Sequence, residues 1–443
     1  MKRKYLAAVF CLLASLLLTG CAMRTVEDMY ALPKRSEIDS RFQKAIDIAM
    51  VGLSYSAPQS GENQQTVQMA DLDGDGTDEY LIFAKGNSEN PLHVLIFRQT
   101  QEGGCVLEDV IQSDGTAFEQ VEYVPFDDQP GCEIVIGRRL SEQVLRSVSV
   151  YSFTEEGAQL QLLNGYSKFL TCDLDENGRR ELMVFRPGEA EDDRGMAVLY
   201  TFGDGHIQRS VETGLSSHPA DIRRITQGRL QDGTSAVYVA STVDESAIVT
   251  DIFAIKEGRL TNVSFSGTAE TSISTLRNYY VYAEDIDGDG VLELPGILNM
   301  KPVMLWQDEN QRSLLRWFAL DLDGWEFDKM YTYHNFMAGW YLQLNGDWAT
   351  RVSVVQSDNT YTFYVWDEEM RHPAPVFSVY SLTGSLRETE ATDHGRFVLY
   401  RTDRVIYAAR LEESADLHDI TQEELMDSFR LIYPEWQTGE LER

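Results

Sequence analysis

The sequence predicts an all-β protein of about seven units, each of four short antiparallel strands, with a short helix at either end. Two observations predict it. An acidic loop that runs into an apolar strand recurs along the chain, and roughly 30 residues after each loop comes a strand, a glycine turn and a returning strand. Both markers keep one order and one period. The period is that of a β-propeller blade, so the units are expected to form a propeller of about seven blades.

The N-terminus precedes this pattern. Lys2, Arg3 and Lys4 lead into an uncharged run from Leu6 to Leu18, too short to span a bilayer as a helix. Leu18-Thr19-Gly20-Cys21 closes it. The tetrapeptide resembles the bacterial lipobox: an apolar residue, two small ones, then cysteine. That resemblance implies a diacylglycerol on the Cys21 thiol and cleavage before it, and two acyl chains on one residue would anchor stably. An ordinary signal peptide with a chance cysteine is the alternative. The expected organisation is signal peptide 1–20, then lipid anchor, tether and helix 21–54. The repeat domain follows at 55–412 and a C-terminal helix at 413–443. The chain is thus expected to be extracytoplasmic and lipid-anchored to the cell membrane.

A helix is expected after the tether. Ser36 is placed as its N-cap, and Ile38, Phe42, Ala45, Ile46, Ala49, Met50 and Leu53 fall on one face. From about residue 64, short apolar runs alternate with Gly, Asp and Asn, as expected of many short strands.

Three loops are sharp. Asp71-Leu72-Asp73-Gly74-Asp75-Gly76-Thr77-Asp78-Glu79 enters Tyr80–Phe83. Asp173-Leu174-Asp175-Glu176-Asn177-Gly178-Arg179-Arg180-Glu181 enters Leu182–Phe185. Asp285-Ile286-Asp287-Gly288-Asp289-Gly290-Val291-Leu292-Glu293 enters Leu294. Weaker copies stand at Asp127–Glu133, Gln231–Thr234, Asn345–Trp348 and Asp393–Arg396. The second marker leads from Val94–Phe97 to Gly104, Val150–Phe153 to Gly157, Val198–Phe202 to Gly205, Ile252–Ile255 to Gly258 and Trp317–Leu320 to Gly324. Near the end, Thr421 and Glu424 form a capping box and Ile420 with Leu425 a hydrophobic staple. Leu425, Phe429, Ile432 and Tyr433 share one helical face, and Pro434 stops the helix.

Carboxylates at positions 1, 3 and 5 can wrap three oxygens around a hard cation. A glycine at 6 permits the turn, and a carbonyl at 7 with a carboxylate at 9 completes a calcium cage. The expected ligands are Asp71, Asp73, Asp75, the Thr77 carbonyl and Glu79; Asp173, Asp175, Asn177, the Arg179 carbonyl and Glu181; and Asp285, Asp287, Asp289, the Val291 carbonyl and Glu293. Asp, Asn and Gly also favour tight turns without metal. In the loops at 71 and 285, the four carboxylates at positions 1, 3, 5 and 9 would then repel each other, which favours a cation. The loop at 173 has one charge fewer at these four positions, with Asn177 at position 5, and carries Arg179 and Arg180, so both readings stay open there. An EF-hand needs glutamate at position 12, where this chain has Ile82, Val184 and Gly296. A loop leading straight into a strand resembles the FG-GAP repeat of integrin-type β-propellers and the related VCBS repeats of bacterial surface proteins.

A formal net charge of −33 repels nucleic acid phosphates, which excludes that class of partner, while 43% hydrophobic residues suffice for a packed core. Cys105, Cys132 and Cys172 remain after the signal and Cys21, either as one disulfide with a free thiol or as buried thiols. Six of the seven tryptophans lie between Trp306 and Trp366, as blade core or as a stacking surface for a sugar or peptide. The histidines show no HxxxH pair, and no GxSxG or strand-linked GxGxxG occurs. No catalytic constellation is found. The expected function is that of a calcium-stabilised binding or scaffold module for protein or polysaccharide. The alternative is an extracellular polysaccharide-acting hydrolase or lyase on a propeller scaffold.

Overall fold

A computed structural model describes residues 37–432 apart from 101–103, 142–144, 189–193, 205, 211, 244–246, 266–270, 278–279, 304–312 and 346. The signal segment, Cys21, the tether, Ser36, Gly205, Trp306, Gly346, Tyr433 and Pro434 lie outside the described residues. No helix among the described residues is long and apolar enough to cross a membrane.

The chain divides into two compact units. The first comprises the chain up to Ala57, Gln65–Asp71 and Gly76–Asp114; the second comprises Pro58–Gln64, Leu72–Asp75 and the chain from Gly115 on. In the first, the expected helix spans Glu37–Ala49. Ile46 is buried, and Phe42, Ala45, Ala49, Met50 and Leu53 pack with it against Ile82, Leu95 and Phe97, as the helical spacing requires. The sheet beneath orders Ser54–Tyr55, Glu79–Lys85, Leu92–Gln99 and Cys105–Ser113, all antiparallel, with Val67–Ala70 also paired to Glu79–Lys85.

Among the described residues, the second unit holds five antiparallel sheets. The second sheet of the chain is Ala117–Val124, Glu133–Arg139, Arg146–Thr154 and Gly157–Tyr166. The third is Lys168–Cys172, Glu181–Pro187, Gly195–Gly203 and His206–Arg209, and the fourth is Ile222–Arg229, Ser235–Thr242, Ile248–Lys256 and Arg259–Asn262. The fifth runs Leu294–Asn299, Ser313–Leu320, Glu326–Asn335 and Trp340–Leu344, and the sixth begins with Val352–Ser357, Thr360–Trp366 and Pro373–Leu382.

Strand alternation explains how these sheets stack. Along Glu181–Pro187, Leu182 and Val184 join a core with Val135, Val148 and Val150 of the second sheet. Met183 and Phe185 join one with Val237, Val239 and Phe253 of the fourth. Ala236, Tyr238 and Ile252 meet Leu294, Phe318 and Leu320 of the fifth. A strand covered on both faces reads as a continuous apolar run, and each fully buried Leu, Val or Phe adds about 1.5–3 kcal/mol. The strand–glycine turn–strand marker is a primed hairpin turn at Glu257-Gly258, where both residues have positive φ (51° and 74°), matching the twist of the flanking strands.

Two expectations need correction. Among the described residues there are six sheets where the period predicts about seven units. The loop at Asp393–Arg396 opens no new sheet: Ile406–Leu411 pairs with Pro373–Leu382, and Phe397–Arg401 pairs with Ile406–Leu411, completing the sixth. Ile406–Leu411 fills the edge that the ten-residue strand Pro373–Leu382 would otherwise leave free, and Phe397–Arg401 adds beyond it. The C-terminal helix is also shorter than its apolar spacing suggests. It spans Gln422–Ser428, with the Thr421 hydroxyl accepting the Glu424 amide hydrogen at 3.1 Å as the capping box requires. The chain then extends as Phe429–Leu431 and pairs with Trp340–Leu344, where Phe429 stacks on Trp340 at 5.6 Å. An open sheet edge and an aromatic partner outweigh one more helical turn.

Trp317, Trp340, Trp348 and Trp366 are buried, so these four serve as core, whereas Trp325 is exposed. Cys105, Cys132 and Cys172 are free thiols, and Cys172 is buried.

Candidate metal-binding loops

Each sharp loop connects the strand that opens a unit to the next. At 173, Lys168–Cys172 precedes the loop and Glu181–Pro187 follows it; at 285 the preceding strand is reduced to the bridge of Glu284 with Glu293. The loops share one hydrogen-bond plan. The position-1 carboxylate accepts the position-6 amide hydrogen: Gly76 to Asp71 at 3.0 Å, Gly178 to Asp173 at 3.1 Å, Gly290 to Asp285 at 2.9 Å. The position-3 carboxylate accepts the position-5 amide hydrogen: Asp75 to Asp73 at 3.1 Å, Asn177 to Asp175 at 3.2 Å, Asp289 to Asp287 at 3.2 Å. Position 5 caps position 7 in two loops: Arg179 to Asn177 and Val291 to Asp289, both at 2.8 Å.

Position 6 takes positive φ in every loop, at Gly76, Gly178 and Gly290 (86° to 87°), as expected. Position 4 does so too. Glycine supplies it at Gly74 and Gly288, but in the loop at 173 it is Glu176, at φ 57°. That side chain is held by Arg229 at 2.6 Å and the Ser235 hydroxyl at 2.8 Å, which offset the cost of the left-handed backbone.

Among the described residues, three acidic clusters can hold a metal ion. Asp71, Asp73 and Glu79 form one, Asp173, Asp175 and Glu181 another, and Asp285, Asp287 and Asp289 the third; within each, carboxylate oxygens lie within 4.8 Å of one another. Asp75 and Glu293 stand outside these groupings, and Thr77, Arg179 and Val291 follow the left-handed position 6 in their loops.

The position-9 glutamates are the part of the loop that composition hides. Glu79, Glu181 and Glu293 are buried at the start of their strands. Glu181 accepts the Leu174 amide hydrogen at 2.8 Å, and Glu293 accepts that of Ile286 at 3.0 Å. Burial pushes the Glu181 carboxyl up to about 7 against the Leu174 hydrogen bond, with Asp175 and Asp173 adding to the rise. Glu293 is likewise pushed up to about 7 by burial, with Asp287 and Asp289 contributing. Its Oε1 is buried with no protein partner, an acceptor that a cation would satisfy.

The weak copy at Asp127–Glu133 keeps the same clamp. Glu133 is buried and accepts the Phe126 amide hydrogen at 2.7 Å, and Asp127 accepts that of Gln129. Aligned on this glutamate, position 1 is Pro125 and position 5 is Gln129, so two of the three carboxylates are gone. Pro130 and Gly131 instead press on Leu72 and Gly74; a side chain at Gly131, whose φ is 101°, would meet the Leu72 carbonyl at 2.4 Å.

The loop at 173 directs its two arginines away from its own carboxylates. Arg179 pairs with Asp128 at 2.6 Å, and Arg180 donates to the hydroxyl and carbonyl oxygens of Thr171, so neither is paired with the carboxylates of its own loop. In the loop at 285, by contrast, Lys329 pairs with Asp289 at 2.6 Å. Each of these two loops thus receives one cationic side chain from outside it, Arg229 on Glu176 and Lys329 on Asp289.

No family model matches the chain, and no curated protein matches it. Among solved structures, a protein from Lactobacillus plantarum is similar at 10% identity and a TM-score of 0.24, covering 72% of this chain and 85% of that one. The rhamnogalacturonan lyase of Bacillus licheniformis aligns at 14% identity and 0.29, over 73% of this chain and 72% of its own. Rhamnogalacturonan lyase YesW aligns at 13% and 0.28, over 72% and 71%. Likeness at this level carries no inference about what this chain does.

Proposed function

We propose that this chain is an extracytoplasmic lipoprotein, anchored to the cell membrane through lipid on Cys21, whose repeats form a calcium-stabilised β-propeller. The propeller serves as a binding or scaffold module for a protein or polysaccharide. One observation carries the calcium reading. Loops far apart in sequence share one geometry that gathers carboxylates around a point, and in two of them a glutamate is raised to about 7 by burial beside aspartates. A divalent cation relieves that cost, and an all-oxygen donor set suits calcium.

Calcium bound only by the folded chain stabilises it by about 2.7 kcal/mol per site at a hundredfold excess over Kd. Thermal melting of the purified chain with calcium and with chelator tests this, alongside elemental analysis for bound metal. The melting temperature is expected to fall in chelator and to recover in millimolar calcium. An unchanged transition in a protein without bound metal would reduce the loops to turns.

A further inference from the structure

Three opening strands converge on a polar cleft of about 480 Å³, within the range of small-ligand sites. Gln120 and Glu122 reach it from the second sheet, Thr171 from the third and Gln227 from the fourth, with Arg180 at its side. Each of these strands is the edge of its sheet.

Thr171 organises the floor. It is buried, its hydroxyl donates to the Glu122 carboxylate, and that hydroxyl accepts from Arg180 Nε at 3.2 Å. Its carbonyl accepts from Arg180 Nη2 at 2.8 Å and from Gln227 Nε2 at 3.0 Å. The Gln120 amide completes the set by donating to Glu122. Side chains from three sheets are thus held in place before any ligand arrives. Arg180 Nη1 and Gln227 Oε1 make no bond to the described residues, which leaves one donor and one acceptor for an occupant.

Charge narrows the occupant. Glu122 and Glu62 oppose an anion, as does the net charge of −33, while Arg180 opposes a cation. Mixed donors and acceptors suit hydroxyl groups, which both donate and accept, and Tyr123, Val124, Pro125 and Leu170 add apolar lining for the faces of a sugar ring.

We propose that this cleft binds a neutral, hydroxyl-rich glycan segment of one or two sugar rings, with Arg180 and Gln227 as its polar contacts. This deepens the binding-module reading and rests on it. It also ties the ligand to calcium, because Arg180 is position 8 of the loop at 173, adjacent to Glu181. Cation binding in that loop fixes the backbone from which Arg180 reaches the cleft, and the Arg180 amide hydrogen bond to the Pro125 carbonyl at 2.9 Å holds the same segment.

The test is calorimetric titration of the full chain, in calcium, with cellotriose, xylotriose, maltotriose and mannotriose, beside trigalacturonate and a neutral hexapeptide. At least one neutral trisaccharide is expected to bind. Gln227→Leu and Arg180→Gln should each weaken that binding about tenfold, equivalent to about 1.4 kcal/mol. Gln227→Leu loses one hydrogen bond to the Thr171 carbonyl, which Arg180 still serves, so its melting temperature should fall only slightly, and the loss of sugar binding is then a lost contact rather than lost folding. Chelator, below the melting transition, should weaken binding several-fold. Binding of trigalacturonate or peptide alone, or neutral-sugar binding indifferent to both substitutions, would overturn the assignment. If no sugar binds while calcium still raises the melting temperature, the cleft inference fails and the calcium reading survives. If calcium changes neither melting nor sugar affinity, the coupling and the calcium reading fail together.

Discussion

Glu181 turns its carboxylate back seven residues onto the amide hydrogen of Leu174, at 2.8 Å. Glu293 does the same to Ile286 and Glu133 to Phe126, although the loop before Glu133 has lost its first and third acidic positions. The clamp therefore belongs to the fold of the loop, whereas the side chains at positions 1, 3 and 5 are the ones proposed to hold a cation.

The loop at Glu133 isolates the first role. Glu133→Ala leaves the Phe126 amide hydrogen without its acceptor in a buried setting, which costs about 1–3 kcal/mol. Glu133→Gln keeps an acceptor oxygen and should lose less. Urea unfolding with and without calcium checks both, and neither substitution should change the calcium-dependent increment.

Lys329 offers the converse test. Its ammonium sits 2.6 Å from Asp289 and competes with a cation there. Exposed pairs contribute about 0.2–1 kcal/mol, so Lys329→Met should tighten calcium binding at the loop at 285 by up to about fivefold. Calorimetric titration of calcium into the metal-free chain would resolve it. An unchanged or weaker affinity would show that the lysine does not oppose the ion.

His334 governs part of the acid behaviour. Its ring stacks on Tyr341 at 4.9 Å and meets the Thr332 hydroxyl at 2.9 Å, and burial pushes its pKa down to about 3. The unfolded chain titrates near 6.5. Protons then bind the unfolded state first, so this contribution is full above about pH 6.5 and is lost as pH falls toward about 3. His334→Phe should flatten the stability–pH curve over that window by about one proton, or about 1.4 kcal/mol per pH unit. Denaturant unfolding at several pH values measures the slope.

Much of this was legible in the sequence, and what was not has a common cause. The apolar runs, the Glu257-Gly258 turn and the Thr421 cap depend on neighbours along the chain, so local pattern finds them. Nothing in the local sequence marks Glu176 as left-handed, because the contacts that hold it come from Arg229 and Ser235, more than fifty residues away. The clamp at Glu133 was hidden because the weak loop was framed on Asp127, while its true first position is Pro125. The strand at Phe429–Leu431 exists because Trp340–Leu344 offers an open edge, which helical periodicity cannot reveal. The polar cleft draws on strands of three sheets, and no single motif contains it.

Membrane attachment is proposed to depend on one sulfur atom. Cys21→Ser is expected to leave the protein uncleaved or to release it in soluble form, since no other residue of the tetrapeptide can carry the thioether-linked lipid. Fractionation of cells and mass spectrometry of the mature N-terminus check this. An unmodified N-terminus starting elsewhere would refute the lipid anchor.

Asp232 and Asp287 should separate turn chemistry from metal chemistry. Asp232 Oδ1 accepts the Thr234 amide hydrogen at 3.0 Å and Oδ2 accepts that of Leu322 at 3.1 Å, so this carboxylate joins two turns of neighbouring sheets. Asp232→Ala should cost about 0.5–2 kcal/mol, as loss of a capping carboxylate does, in calcium and in chelator alike. Asp287 accepts the Asp289 amide hydrogen at 3.2 Å, a bond within its own loop, and lies with Asp285 and Asp289. Asp287→Ala should change stability little in chelator and remove part of the gain on adding calcium, because it deletes one ligand and also one repelling charge. Melting curves of both variants, each with calcium and with chelator, decide the matter. If Asp232→Ala diminished the calcium increment as much as Asp287→Ala does, the division of the repeats into metal loops and plain turns would be wrong.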